Sequence, residues 1–210
     1  MSLRDTLNML GIREEIDKVW SAIEHELNTK KIVISSEKTL VFKFAWLLNS
    51  NDNLKIYNLD FEKDIFNKEF LDGKFLDLYF EIEYANKNYR VGIEFKFPHK
   101  KKNNSGATEI RQKIINDLKK LDSLIQDDKI DLGIFLCATN ERYFLLNKKR
   151  TESHFATYNN KKYLFDEFYP CNEKYKHKLK VSNEIMFYWR NQNLIKDDYF
   201  SFLDPIHIIK

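Results

Sequence analysis

Glycine and proline are scarce in this 210-residue chain, which has five of the first and three of the second. Together they make up about 4% of it, against about 12% in ordinary proteins. Collagen-like, loop-rich and linker-built architectures are thereby excluded. Cysteine is scarcer still: Cys137 and Cys171 stand alone. Two cysteines cannot staple a chain of this size, and with no CxxC or Cys/His grouping they offer no zinc site. No run approaches the roughly 18 apolar residues of a membrane span, and residues 1–15 lack the apolar stretch of a signal peptide. Charge of one sign is not in excess either. There are 35 Lys and Arg against 32 Asp and Glu, a net charge of +3, which excludes a uniformly basic nucleic-acid coat but leaves local patches open. No Walker-type loop, GxGxxG or GxSxG motif occurs, and the five histidines have no metal-ligand spacing. The reading is of a soluble, intracellular, cytoplasmic protein.

What is present is enough to build a core. Hydrophobic residues are 43% of the chain and aromatics 15%, which excludes wholesale disorder. At roughly 150 residues per domain, residues 1–210 suggest a single domain. Helical spacing of Ile16, Val19, Trp20, Ile23 and Leu27 predicts a helix over 13–28. A second helix follows a Ser35 or Ser36 cap, with Leu40, Val41, Phe44, Ala45, Leu47 and Leu48 on its buried side. A short strand is expected over 56–61. Residues 75–84 then alternate, with Leu76, Leu78, Phe80, Ile82 and Tyr84 on one parity and Asp77, Tyr79, Glu81 and Glu83 on the other. A turn at 85–88 and a return strand over 89–97 complete a hairpin. The pattern predicts a helix over 108–126 with an inner stripe of Ile110, Ile114, Leu118, Leu121 and Ile125. The apolar run 130–138 predicts a strand buried on both faces, reached by a crossover to a parallel neighbour. The order helix, strand, hairpin, helix, strand implies a mixed α/β layered sandwich. Residues 139–210 are aromatic-rich and expected to pack on the same core.

Strand parity also organises the acids and bases. Glu94 and Lys96, two apart, share one face of the return strand, and Asp77 lies on the polar parity of its partner. A register that sets Asp77 beside Glu94 brings two carboxylates and an ammonium together. Two close carboxylates call for a cation between them, and hard oxygen donors favour Mg²⁺ or Mn²⁺ over zinc. Glu37 falls on the inward stripe of its helix, with Val41, Phe44 and Leu48. It reads equally as an inward carboxylate with a partner or as an exposed first-turn residue favoured by the helix dipole. The bland alternative for the hairpin is a solvated sheet face with cross-strand ion pairs.

Asp77, the hairpin, Glu94-Phe95-Lys96, Glu37 on a preceding helix and a further helix together resemble the PD-(D/E)XK nuclease superfamily over residues 35–138. Leu76 stands where the name-giving proline would be. The resemblance implies a restriction-endonuclease-like mixed sheet in a three-layer α/β/α core. It implies that Asp77, Glu94 and the Phe95 carbonyl are ligands of Mg²⁺ or Mn²⁺, with Lys96 as catalytic lysine and Glu37 as the acid of the first core helix. Gln112, spaced i, i+4 with Asn116, is the polar residue expected to approach the site from the following helix, and Arg111 and Lys113 could equally meet phosphate; an ordinary exposed helical face is the competing reading for each. Lys100, Lys101 and Lys102 form a basic run after the catalytic strand, Lys148 to Arg150 a second, and Lys174 to Lys180, including Lys176 and Lys178, a third. Such cations suit phosphate, although charge runs are usually solvated faces. The function implied is Mg²⁺-dependent phosphodiester hydrolysis on DNA rather than RNA, by a small restriction-type endonuclease. By the same analogy it would act as a homodimer, because both strands must be cut. The alternatives are a catalytically silent nuclease-fold protein that binds nucleic acid or a protein partner, and an unrelated α/β interaction domain.

Overall fold

The computed structural model describes residues 3–65, 75–99, 107–146, 156–164, 168–169, 179–180, 184–191 and 199–209. Two helices open the chain, α1 (Leu3–Asn28) and α2 (Glu37–Asn49). The first starts ten residues before its apolar stripe becomes evident, because its early turns are mixed in polarity. The second starts where expected: Ser36 caps it, its hydroxyl accepting from the Thr39 N–H at 3.2 Å.

Three antiparallel strands follow, β1 (Lys55–Asp64), β2 (Phe75–Tyr84) and β3 (Lys87–Lys96). The hairpin turn is tighter than predicted. Ala85 and Asn86 alone make it, with φ of 50° and 63°, so the primed two-residue geometry matches the strand twist and β3 begins two residues early. Between β1 and β2 the register shifts at Tyr57–Asp60, where Asn58 takes a φ of 50°. This bulge extends β1 beyond its predicted 56–61.

Helix α3 (Ala107–Gln126) crosses to β4 (Leu132–Thr139), which pairs parallel with β3. All eight residues of β4 are buried, as its apolar composition requires. The C-terminal third adds β5 (Lys161–Tyr163), β6 (Phe168–Tyr169), β7 (Leu179–Lys180), β8 (Ile185–Phe187), β9 (Ser201–Phe202) and β10 (Ile206–Ile208). β5 pairs with β8 and β6 with β7, while β9 and β10 both join the open side of β4. Among the described residues the main sheet thus has six strands, ordered β1-β2-β3-β4-β10 with β9 also on β4.

Hydrophobic residues cover both sheet faces. On one, Leu78, Phe80, Val91, Ile93, Phe95 and Ile134 pack under α1 and α2; on the other, Phe135 and Cys137 pack with Ile114, Leu118, Leu121 and Ile125 of α3. The chain is therefore a mixed α/β protein with helices on both sides of its sheet. Residues outside 35–138 are part of this core. Trp20 of α1 is fully buried against Phe44 and Phe202, with ring centroids 6.3 and 4.6 Å away, and its indole N–H donates to the Leu203 carbonyl at 2.9 Å. Truncating such a residue costs about 3–5 kcal/mol. Among the described residues no helix is long and apolar enough to cross a membrane.

One strand residue departs from its expected parity. Leu76 packs on the α3 face, opposite Leu78. Gly92 makes this possible, because a Cβ there would lie 2.9 Å from the Leu76 Cδ1 atom. The departure bears on its neighbour, Asp77.

Candidate functional site

At the end of β3, side chains from α2, β2, β3 and α3 form one network of charges. The regular β2–β3 register ends at Leu78↔Ile93, so Asp77 and Glu94 each lie one residue beyond it. The two carboxylates nevertheless serve different sides. Asp77 Oδ2 accepts from the Phe95 N–H at 2.7 Å, and the side chain lines a cleft with Glu37 and Val41 of α2. Glu94, on the parity of Gly92, turns to α3 and pairs with Lys120, whose ammonium also donates to the Phe75 carbonyl at 2.8 Å. The two carboxylates thus have different partners, although Asp77 stays close enough to raise Glu94.

Lys96 bridges the two sides. Its ammonium is 2.7 Å from Asp117 Oδ2 of α3 and 3.5 Å from Glu37 Oε1 of α2. It also donates to the Phe95 carbonyl at 2.7 Å. Glu37 proves to be both of the things its position suggested. It is the first residue of α2, near the favourable end of the helix dipole, and it is turned inward, its Oε2 accepting from the Phe97 N–H at 3.1 Å.

The electrostatics follow from the count. Among the described residues, Glu37, Asp77, Glu94 and Asp117 are four carboxylates facing two ammoniums, Lys96 and Lys120, a formal excess of two negative charges. Burial pushes the Glu94 carboxyl well above its ordinary value, and Asp117 and Asp77 push it further against the pull of Lys120. Burial likewise raises Glu37 and Asp117, opposed in each by Lys96. Burial alone would lower Lys96, but Asp117, Glu37 and Asp77 overcome it and hold the ammonium charged.

A divalent cation suits this donor set in kind, since the donors are hard oxygens, and in charge, since two negative charges are in excess. Among the described residues, however, no group of three His, Cys, Asp or Glu side chains is placed to hold a metal ion. The contacts give the reason. Lys120 holds Glu94 on the α3 side, and Asp77 opens toward α2, so the acids do not close on one point.

The network is reached through a cleft of about 470 Å³ between α2 and the β1–β2 pair, lined by Glu37, Lys38, Val41, Phe42, Phe61, Glu62 and Asp77. Phe42 and Phe61 are exposed there. Glu94 and Lys120 lie behind the lining, with side chains 2% and 11% exposed.

Helix α3 contributes differently from expectation. Gln112 is half-buried, but it lies five residues before Asp117, about 140° around the helix at 3.6 residues per turn. The side chains of α3 that enter the network are Asp117 and Lys120, neither of which was singled out in the sequence. Asp117 carried a legible signal, since it sits on the apolar stripe between Ile114 and Leu121. Arg111, expected to meet phosphate, is 2% exposed; its guanidinium donates to the Tyr143 hydroxyl at 2.9 Å and lies 4.4 Å from that ring's centroid. A cation held in that way is structural. Lys100, Lys101, Lys102, Lys176 and Lys178, together with 148–150, lie outside the described residues. Cys137 is fully buried and burial pushes its thiol well up, in keeping with inert core. No family model, curated protein or solved structure matches this chain.

Proposed function

We propose that this chain is a Mg²⁺-dependent phosphodiester hydrolase acting on DNA, a small restriction-type endonuclease built on a restriction-endonuclease-like α/β/α core. The observation that carries the reading is the meeting of Glu37, Asp77, Glu94 and Lys96, from three separate elements, at one end of β3. A solvated sheet face would have left these groups apart and exposed. Strand order supports it as well: an antiparallel β1-β2-β3 meander is followed by a helix and a parallel strand, and α2 and α3 flank one end of β3.

Asp77, Glu94, the Phe95 carbonyl and Glu37 are the groups that would hold the metal. When bound, Mg²⁺ would supply Lewis-acid stabilisation of charge developing on the phosphate. Lys96 has a role of its own. An ammonium enclosed by carboxylates stays protonated, so it donates a hydrogen bond to the attacking water or to a phosphate oxygen and offsets charge there. Asp117 holds it in place. The cleft along α2 admits the substrate to Glu37 and Asp77, and the lysines at 100–102, 176 and 178 would contact the backbone phosphates. DNA is favoured over RNA, with a homodimer cutting both strands. These last assignments rest on the likeness to the PD-(D/E)XK nucleases.

A second reading has its own observation. The pairing of Lys120 with Glu94, and the lack of a closed group of acids among the described residues, suit a nuclease-fold protein that binds nucleic acid without cutting it. One experiment separates the two. Supercoiled plasmid is incubated with protein and Mg²⁺ or Mn²⁺, and cleavage by the wild type is compared with Asp77→Ala, Glu94→Ala and Lys96→Ala after circular dichroism has established folding. The hydrolase reading predicts a loss of at least about 10²-fold in each variant. Full activity in all three would sink the site assignment, and DNA binding with no cleavage in either metal would establish the second reading.

A further inference from the structure

Helix α2 carries two large aromatic rings on the side away from its core. Leu40, Val41, Phe44, Ala45 and Leu48 are buried, whereas Phe42 and Trp46, one turn apart, are 54% and 66% exposed. Their ring centroids are 6.2 Å apart, with the planes tilted by 35°. Across the cleft, Phe61 of β1 is exposed as well. Consecutive strand residues ordinarily point to opposite faces, yet Phe61 and Glu62 both line the cleft. The φ of 50° at Glu62 breaks the alternation there. Three exposed rings gathered at one opening with a polar rim mark a binding surface rather than scattered exposure.

We propose that this aromatic cleft holds an unpaired base of a nucleic-acid strand, so that the substrate is single-stranded, or opened, where it meets the protein. This rests on the nucleic-acid part of the reading above and uses no metal. Size is the first reason. The cleft, about 470 Å³, falls within the roughly 300–1,000 Å³ of sites for one small molecule, which leaves room for a nucleotide and not for a duplex. Access to the base is the second. Inside a duplex the faces of the bases are covered by their neighbours, so exposed rings can stack only on a base that has left the helix. Charge is the third. The lining carries three carboxylates, Glu37, Glu62 and Asp77, and one ammonium, Lys38, which is paired with Glu62 at 2.8 Å. With no metal bound, such walls suit phosphate poorly. A base is uncharged, and its amino and imino groups donate to carboxylates. Glu37, raised by burial, serves in either form, since its protonated carboxyl donates to a base carbonyl or ring nitrogen. A second copy of this chain fits less well. Covering the rings would bury the exposed Lys38–Glu62 pair, and the centres of such interfaces are poor in charge.

Trp46 supplies the reporter, because the other two tryptophans of the chain, Trp20 and Trp189, are buried. A labelled mixed-sequence DNA strand of roughly 16 nucleotides, the upper end of single-strand site sizes, is titrated with protein in EDTA, alone and annealed to its complement. Anisotropy gives the affinity and tryptophan emission the contact. The single strand should quench Trp46. Phe42→Ala, Trp46→Ala and Phe61→Ala should each weaken its binding about five- to 150-fold, the loss of one stacked base, while duplex binding stays within about twofold of the wild type. Trp46→Phe keeps a ring, so it should lose the quenching and retain the affinity. All four positions are exposed-surface changes whose folding circular dichroism checks. Single-strand binding unchanged in the three alanine variants, or weakened no more than duplex binding, overturns the base site and leaves the hydrolase reading standing, since plasmid cleavage tests that separately. Binding of neither DNA by the wild type overturns both. Equal quenching by a free mononucleotide would make the cleft a small-molecule site, and emission that changes on diluting the protein alone would make it an interface between copies. Either result overturns the proposal.

Discussion

The two ends of β3 carry similar charged groups whose acids are shifted in opposite directions. At its start, Arg90 donates from Nε to Asp131 Oδ2 at 3.0 Å, from one terminal nitrogen to Asp131 Oδ1 at 2.9 Å and from the other to the Asp128 carbonyl at 2.6 Å. The Arg90 backbone N–H also donates to Asp131 Oδ2 at 2.8 Å, and the Asp131 N–H donates to the Arg90 carbonyl at 2.8 Å. Burial pushes Asp131 up, but the bonds from Arg90 outweigh it and the carboxyl titrates below its ordinary value. At its end, Lys96 and Lys120 face four carboxylates, and Glu37, Glu94 and Asp117 are all raised. The matched end ties β3 to the turn entering β4 and has the marks of a staple. The mismatched end gathers acids that burial pushes toward their neutral form. Perturbed acids of the second kind, beside a cleft, are where chemistry is to be sought.

The largest effect expected on this comparison comes from removing each central cation. Lys96→Met leaves buried carboxylates without their ammonium and should lower unfolding free energy by about 3–5 kcal/mol in denaturant titrations at pH 8. Arg90→Met should cost only about 1–2 kcal/mol, because its pair is about a third exposed and screened by water. Equal costs would erase the distinction between the two ends.

Acid and base titration of stability should separate them next. A raised carboxyl contributes stability that is complete below its ordinary value, 4.5 for Glu94, and is lost as pH rises through the raised one. Asp131 does the opposite: its contribution is present above 3.8 and is lost as pH falls through its lowered value. Glu94→Gln should therefore remove part of the decline in stability on the alkaline side of 4.5, a slope of up to about 1.4 kcal/mol per pH unit for each group. Asp131→Asn should instead flatten the acid-side loss. Urea midpoints measured across pH 3–8, a range of about five units, check both, and a Glu94→Gln curve parallel to the wild type would remove Glu94 from the mismatched set. The smallest effect is expected at the cleft rim, where Lys38 and Glu62 pair at 2.8 Å with side chains 85% and 64% exposed. Lys38→Ala should leave the denaturation midpoint unchanged, and a clear loss there would show that exposed pairs in this protein also stabilise it.

Much of the frame was legible because it depends on short-range periodicity. The alternating run 75–84 gives the bounds of β2 to the residue, and the stripe from Ile110 to Ile125 marks the buried side of α3. Boundaries slipped where a local device intervened: the two-residue turn at Ala85–Asn86, the bulge at Asn58, and the crossing of Leu76 over Gly92. The site was half legible. Glu37, Asp77, Glu94 and Lys96 stand out through parity and position, and Asp117 through its place on the apolar stripe, whereas Lys120 looks like an ordinary member of a charged helix. Arg111 shows the converse. It has the composition of a phosphate contact, and only packing against Tyr143 reveals it as buried.

The sequence by itself determined which residues alternate and which recur every third or fourth place, and with that the hairpin, the helices and the doubly buried strand. Those patterns follow from backbone geometry and the gain from burying apolar surface, both readable within a dozen residues. Only the tertiary structure decided what each charge meets. Lys120 lies 26 residues after Glu94, Asp117 lies 21 after Lys96, and β9 and β10 return from the far end of the chain to close the sheet on β4. A charge's partner depends on how α3 crosses the sheet, and its cost depends on how much water that crossing removes. Neither is written in the residues flanking it.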